Sequence, residues 1–466
     1  VRGAGASLGG RSSEYGREEV RDGRDLVAWV VAQDWCDGNV GAYGTSYSGT
    51  TAELLTAAGH PAVKAVVIGW SDFDSYRSPI WPYGIYAESL AREWSALVAG
   101  LDRNDVSGGV SVRRVLVDTD GALLRAAVAE HARNADVHAV ARAAEFRDQK
   151  TGSDTWAETS AIHWKKEIEA SRAAMLVFAS WFDSGTAEGA LLRSQHFSNP
   201  QSLVILASDH GGATQASPFT VSRSVVPAQP SYEEQMELRR LFFDRWLRGA
   251  DNESARWPRI RYWNLGEEAL RSCETWPPPG VERRKLFLAP EGRLAPEPPT
   301  AASEVRHAVD FGVTTGKANR WGTQMGRPVL ALDQREEMDE RMLVFDTEPF
   351  EEELQLTGTP VLTLRFAADV TDCAVLAYLE VVDLDGRSRY LTEGGLRLVH
   401  RKLDSAPELP DGLAQHSFES ADALPLVPGE PVELTFRMLP ISARLEPGHT
   451  LRLALAGPDA GTLERF

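Results

Sequence analysis

The sequence predicts a doubly wound, mostly parallel α/β sheet, interrupted by an inserted helical cap and followed by an all-β sandwich of jelly-roll type. Three observations carry that expectation. Helical and strand-like segments alternate from Arg17 to Ile68 and again from Ala174 to Arg248. Helical periodicity without obvious strands fills the interval between them. Beyond Gly280 the helical period gives way to short β-rich segments separated by Gly, Pro and Asp. With 466 residues, 43% of them apolar, the chain can bury two or three cores.

In the first stretch, Val20, Leu26, Val27, Val30 and Val31 recur at helical spacing among acids, predicting an amphipathic helix from Arg17 to Asp34. Asp37-Gly38 then turns the chain into a short strand, Asn39 to Tyr43, followed by an alanine-rich helix from Gly49 to Ala58. The run Val63 to Ile68, mostly apolar and rich in β-branched residues, reads as a strand buried on both faces of a parallel sheet. These residues, 1–73, form the first part of the α/β domain. The cap is expected over 74–170, with helices at Tyr86 to Leu101 and Val112 to Arg142. Residues 171–280 return to the sheet: strand Ala174 to Ala179, helix Ser184 to Phe197, strand Ser202 to Ala207, helix Tyr232 to Arg248 and strand Arg259 to Trp263. Trp276-Pro277-Pro278-Pro279-Gly280 marks a boundary. The sandwich, 281–466, is read from Lys285 to Leu288, Met342 to Phe345, Pro360 to Phe366, Ala374 to Val382, Val432 to Phe436 and Thr450 to Leu455.

Charge narrows the function classes. With 67 acidic against 49 basic residues, a net charge of −18 repels phosphate backbones and anionic lipid, so neither a nucleic acid nor a membrane is expected as partner. Cys36, Cys273 and Cys373 are far apart and lack metal-ligand spacing, so they are expected to be buried free thiols. No metal or organic cofactor is expected, and the expected compartment is the cytoplasm.

Gly44-Thr45-Ser46-Tyr47-Ser48-Gly49, between a strand and a helix, reads as a nucleophile elbow. A serine hydroxyl reacts only when held out of the fold beside a base, with amide N–H groups aimed at the oxygen it makes anionic. A sharp turn does this, and its strain requires small neighbours. Gly44 and Ser48 meet that requirement, with serine at the place where the pattern usually has a second glycine. In α/β-hydrolase topology the acid and the base follow the nucleophile on loops after later strands. Asp183 directly follows the strand ending at Ala179, and His210 the strand ending at Ala207. Asp209 is the rival acid, but its adjacency to His210 suits it less to hold the far ring nitrogen.

Trp35-Cys36-Asp37-Gly38-Asn39-Val40-Gly41 with the elbow, Trp181-Phe182-Asp183 and Phe243-Asp244-Arg245-Trp246-Leu247 resemble the cocaine esterase and X-prolyl dipeptidyl-peptidase (CocE/NonD) family of serine hydrolases over nearly the whole chain. The resemblance implies an α/β-hydrolase domain, an inserted cap and a C-terminal jelly roll. It implies Ser46 as nucleophile, His210 as general base, Asp183 as its orienting acid and the Tyr47 backbone N–H as one oxyanion donor. Trp81 and Trp94, in cap segments resembling those that line the family's acyl pocket, are candidate substrate contacts.

The expected activity is hydrolysis of a small-molecule ester or amide through an acyl-enzyme, with an esterase favoured. X-prolyl dipeptidyl-peptidase or α-amino-acid ester hydrolase activity is the alternative, for which cap acids such as Glu88 and Glu93 would hold a free amino group. A catalytically inactive binding protein is the alternative of a different class. The family's second oxyanion donor, a tyrosine hydroxyl, would lie upstream of Val1, so the chain reads as a fragment truncated at both ends. Losing one such donor costs about 10²–10³ in rate and missing strands would expose a sheet edge, so the chain as it stands is expected to be poorly soluble or nearly inactive.

Overall fold

The computed structural model describes residues 1–105, 115–220, 225–329, 332, 334–405, 407–409 and 411–465. The start of the helix predicted from Val112 lies outside the described residues, as does Phe466.

Six strands form the main sheet in sequence order: β1 (Val40–Thr45), β2 (Val63–Gly69), β3 (Ala174–Ser180), β4 (Gln201–Leu206), β5 (Ile260–Asn264) and β6 (Ala269–Cys273). The first five run parallel and β6 returns antiparallel to β5. Alternation of side chains splits this sheet into two buried faces. Val66, Ile68, Met175, Val177, Leu203 and Ile205 join one apolar cluster. Ala65, Val67, Leu176, Phe178, Val204 and Leu206 join another that packs against Phe242. Each fully buried large aliphatic side chain contributes about 1.5–3 kcal/mol, so the inner strands are the rigid floor of the domain.

The helices α1 (Arg17–Val31) and α2 (Tyr47–Ala57) flank the first strands. The cap between β2 and β3 holds α3 (Glu88–Asp102), α4 (Ala122–His131), α5 (Val137–Ala143) and α6 (Lys165–Ser171). Where one helix is predicted to run on to Arg142, the chain breaks after His131, and Asp136 caps a new helix by accepting the Ala139 N–H at 2.9 Å. The cap also contains a two-residue antiparallel ladder, Lys150–Thr151 with Asp154–Thr155, that the sequence reading did not anticipate. Next come α7 (Thr186–His196) and α8 (Tyr232–Arg248). Ser231 opens α8 with a capping box: its hydroxyl accepts the Glu234 N–H, while Glu234 accepts the Ser231 N–H.

The C-terminal region is built from strands: β7 (Phe287–Ala289), β8 (Arg293–Ala295), β9 (Leu343–Asp346), β10 (Leu354–Gly358), β11 (Val361–Phe366), β12 (Ala374–Val382), β13 (Ser388–Arg397), β14 (Val432–Arg437), β15 (Ile441–Leu445) and β16 (Thr450–Ala456). One six-stranded sheet takes the order β13-β12-β16-β9-β8-β7, and β10–β15 and β11–β14 pair antiparallel beside it. Among the described residues no helix is long and apolar enough to cross a membrane. The three cysteines are free, as expected, but half-buried rather than buried.

Candidate active site

The elbow is built as a strand-to-helix turn between β1 and α2. Ser46 stands at its tip with φ 62° and ψ −132°, a backbone conformation that costs a non-glycine residue energy and needs tight surroundings to persist. The surroundings are tight. A Cβ added at Gly44 would lie 2.2 Å from the carbonyl carbon and oxygen of Ser48, and one at Gly49 would lie 2.8 Å from the Gly69 oxygen. Ser48, the departure from the usual glycine, braces the turn: its Oγ donates to the Thr45 oxygen at 2.7 Å and accepts the Thr45 N–H at 3.0 Å. The Ser46 N–H is tied to the Gly69 oxygen of β2 at 2.8 Å. Tyr47 begins α2, so its N–H has no helical carbonyl to reach and is free for an anion.

His210, after β4, and Asp183, after β3, are brought together. His210 Nδ1 donates to Asp183 Oδ2 at 2.9 Å, which leaves Nε2 with its lone pair free, buried and without a hydrogen-bond partner, Ser46 included. Catalytic hydrogen bonds often tighten only when substrate binds. Asp209 turns away, its Oδ1 accepting the N–H groups of Ala213 at 3.0 Å and Thr214 at 2.9 Å. Burial pushes the His210 pKa down. The charge of Asp183, its hydrogen bond, and the charges of Asp72 and Asp209 outweigh that, and the net shift is upward.

Ser46 opens into a cleft of roughly 880 Å³, counting its solvent-filled mouth, walled by the N-terminal segment, the β2–α3 loop, the cap and, from the C-terminal region, Gln324 and Met325. Trp94 lines it, stacked on the Tyr47 ring at 6.0 Å and donating from Nε1 to Glu14 at 2.9 Å. Trp81 is placed elsewhere: it is buried between Tyr76 and Tyr86, donates to the Ala141 oxygen at 3.1 Å, and is not a wall of the cleft. Glu88 and Glu93 do not line the cleft either, and pair with Arg92 and Arg327.

The acids that do face it are Glu14 and Asp72, which sequence reasoning missed. Burial raises the Glu14 carboxyl to about 7, against the Trp94 hydrogen bond and Arg11 that pull it down. Burial and then the charge of Asp183 raise Asp72 to about 7. The Asp72 loop is fixed from behind by Arg193, which donates to the Asp72 backbone oxygen at 2.7 Å and forms a buried pair with Glu53 at 2.7 Å. No sequence signal marks Glu14, whereas Asp72 stands three residues past the end of β2, the same spacing at which Asp183 follows β3, so strand-end position alone could have raised it as a candidate.

This geometry, a strained serine on a doubly wound sheet with a His–Asp pair on the later strand-end loops, defines an α/β-hydrolase fold, here joined to a C-terminal β domain. Residues 1–212 match the family model of X-Pro dipeptidyl-peptidase (S15 family), and residues 252–466 that of the X-Pro dipeptidyl-peptidase C-terminal non-catalytic domain. A protein of Mycobacterium bovis named, by assignment, a serine esterase is 35% identical, with 99% of this chain and 77% of the relative covered. The cocaine esterase of Rhodococcus sp. is 24% identical, with 96% of this chain and 78% of that protein covered. Among solved structures, an aminopeptidase from a marine sediment archaeon of the Thaumarchaeota superposes with a TM-score of 0.71 at 19% identity, covering 96% of this chain and 74% of that one. The chain belongs to the S15 family of serine hydrolases, the esterase-like family that takes in X-Pro dipeptidyl-peptidase and cocaine esterase.

Proposed function

We propose that the chain hydrolyses the acyl bond of a small-molecule ester, or of an amide or peptide, through a Ser46–His210–Asp183 triad and an acyl-enzyme. The observation that carries this reading is the 2.9 Å hydrogen bond from His210 Nδ1 to Asp183, on a histidine whose Nε2 is left unpartnered. That bond fixes the tautomer in which Nε2 is the base. Nε2 takes the Ser46 proton as Oγ attacks the carbonyl carbon, and the Tyr47 N–H stabilises the oxygen that becomes anionic. Nε2 then returns the proton to the leaving group, and water releases the acid by the same sequence in reverse. Trp94 offers an aromatic wall for the acyl group, which favours an ester.

A second reading is favoured by Glu14 and Asp72. Two carboxyl groups on the cleft wall would suit a substrate with a free ammonium, as an X-prolyl dipeptidyl-peptidase or α-amino-acid ester hydrolase requires. Labelling with a fluorophosphonate tests the nucleophile, with Ser46→Ala as control. Labelling lost in that variant supports the triad, and a folded, unlabelled parent would point instead to an inactive hydrolase fold used for binding. Matched esters with and without a free α-amino group then separate the two substrate readings.

A further inference from the structure

The family description of the C-terminal region as non-catalytic does not fit what its loop at Asn319 to Met325 touches. Asp183 is fully buried and uses Oδ2 for His210, so its other oxygen needs partners of its own. Both come from this loop. Thr323 Oγ1 lies 2.7 Å from Asp183 Oδ1, and Gln324 Nε2 donates to the same oxygen at 3.0 Å. The Thr323 hydroxyl has one proton and a second acceptor in reach, the Arg320 oxygen at 2.7 Å, and the charged carboxylate is the stronger acceptor.

The loop is clamped on both sides. Towards the β domain, the two N–H groups of the Asn319 side-chain amide are shared among Thr315 Oγ1, the Gly316 oxygen and Thr462 Oγ1, at 2.7–2.9 Å from Nδ2. On that side too, Trp321 donates to Glu393 at 2.9 Å and Arg320 to the Tyr390 hydroxyl at 2.8 Å. Towards the acid, Arg320 donates to the backbone oxygens of Ser184, at 2.9 Å, and Trp181, while the Ser184 N–H donates back to the Arg320 oxygen at 2.9 Å. Gly322 permits the tight turn between Asn319 and Thr323, since a Cβ there would lie 2.2 Å from the Lys317 oxygen. A surface contact between two domains would not need a buried arginine, a buried threonine and a forbidden Cβ at one point.

We propose that Thr323 and Gln324 are positioning residues of the triad, supplied by the C-terminal domain, which hold the Asp183 carboxylate in the rotamer that orients His210. This rests on the reading of Asp183 as the triad acid. Without the two donors the carboxylate turns more freely and its charge is less dispersed. His210 then becomes both less well aimed and more basic.

The test uses the whole 466-residue chain with Thr323→Val, Thr323→Ser and Gln324→Leu. Loss of one hydrogen bond to a charged group predicts a fall of about 10-fold in kcat for Thr323→Val, with KM little changed and the acidic limb of the pH profile moved upward. Thr323→Ser restores both. Equal kcat and equal pH profiles in parent and Thr323→Val would overturn the proposal, as would a Thr323→Ser variant no better than the valine. If Thr323→Val fails to fold, Gln324→Leu, at a half-exposed position, carries the same prediction for kcat and for the acidic limb, but not for KM, because Gln324 also lines the cleft. Asp183→Asn separates the two levels, since full activity there rejects the triad reading itself. If the parent turns nothing over, the His210 imidazole titration followed by NMR in parent and Thr323→Val still decides the point: an upward shift supports the loop's role and no shift rejects it.

Discussion

Ser46 and Asp183 are held in place by different kinds of sequence. Everything that shapes the serine lies between Gly44 and Gly49 plus the β2 backbone at Gly69, and it acts through steric exclusion: two positions where a Cβ has no room and a serine that ties its own turn. The aspartate has a strand-end position after β3, but the two donors to its second oxygen stand 140 and 141 residues further along the chain, in another domain. Local strain is written in contiguous residues and fails as a unit. A buried charge is satisfied by whatever element the fold brings alongside, and it fails one donor at a time.

That difference predicts distinct failure modes. Asp183→Asn keeps the shape but offers His210 Nδ1 an amide in place of a charge, so kcat should fall by about 10⁴ with little change in the thermal midpoint. A fall below tenfold would mean that another acid serves His210. Gly44→Ala should act on rate and fold together. Its Cβ would meet backbone at 2.2 Å, so the turn must open, misplacing Ser46 and costing about 10² or more in labelling rate along with several kcal/mol of stability. Retained stability with lost labelling would show that the elbow's strain is carried elsewhere.

The same contrast explains how much the sequence revealed. Ser46, Asp183 and His210 were legible because each follows a sheet strand, with small neighbours marking the turn at Ser46, and the buried strands β2, β3 and β4 advertise themselves as apolar runs. The missed strands lack that signature. β6 is a short return strand with exposed Leu270 and polar neighbours, and β13 begins Ser-Arg-Tyr and contains Gly394-Gly395, the latter placed where a Cβ would strike Leu376 at 2.7 Å. Trp81 and Trp94 show the limit most plainly. Both are cap tryptophans near helical segments, yet one is core and the other a cleft wall, and only the packing of α5 and the elbow decides which. Thr323, Gln324 and Glu14 are ordinary polar residues until the fold sets them beside the site, and Asp72, three residues past β2 as Asp183 is past β3, shows that a strand end alone does not single out one acid.

Asp72 stands between the two regions and gives the finest test of the contrast. It lies on the cleft wall with Ser46, and its charge acts on both His210 and Asp183. Hydrolysis needs neutral Nε2, so activity is lost as pH falls through the His210 pKa, which is raised above its ordinary 6.5. Asp72 itself titrates at about 7, so its support for the imidazolium grows over the same range and the acidic limb should be broad. Removing that charge in Asp72→Asn should lower the His210 pKa, move the limb to lower pH and raise activity near pH 7, where Asp72 is about half ionised, by at most about threefold for a shift of half a unit or so. The acid's own seat is untouched by this change, because the Asp183 oxygens keep His210, Thr323 and Gln324. With an ester that lacks a free amino group, Asp72→Asn should therefore shift the pH profile while leaving its plateau in place, whereas Thr323→Val lowers the plateau. A pH profile of kcat/KM for the two variants, measured side by side, separates a nearby charge from a positioning contact; an unmoved limb in Asp72→Asn would assign the elevation of His210 to Asp183 and Asp209.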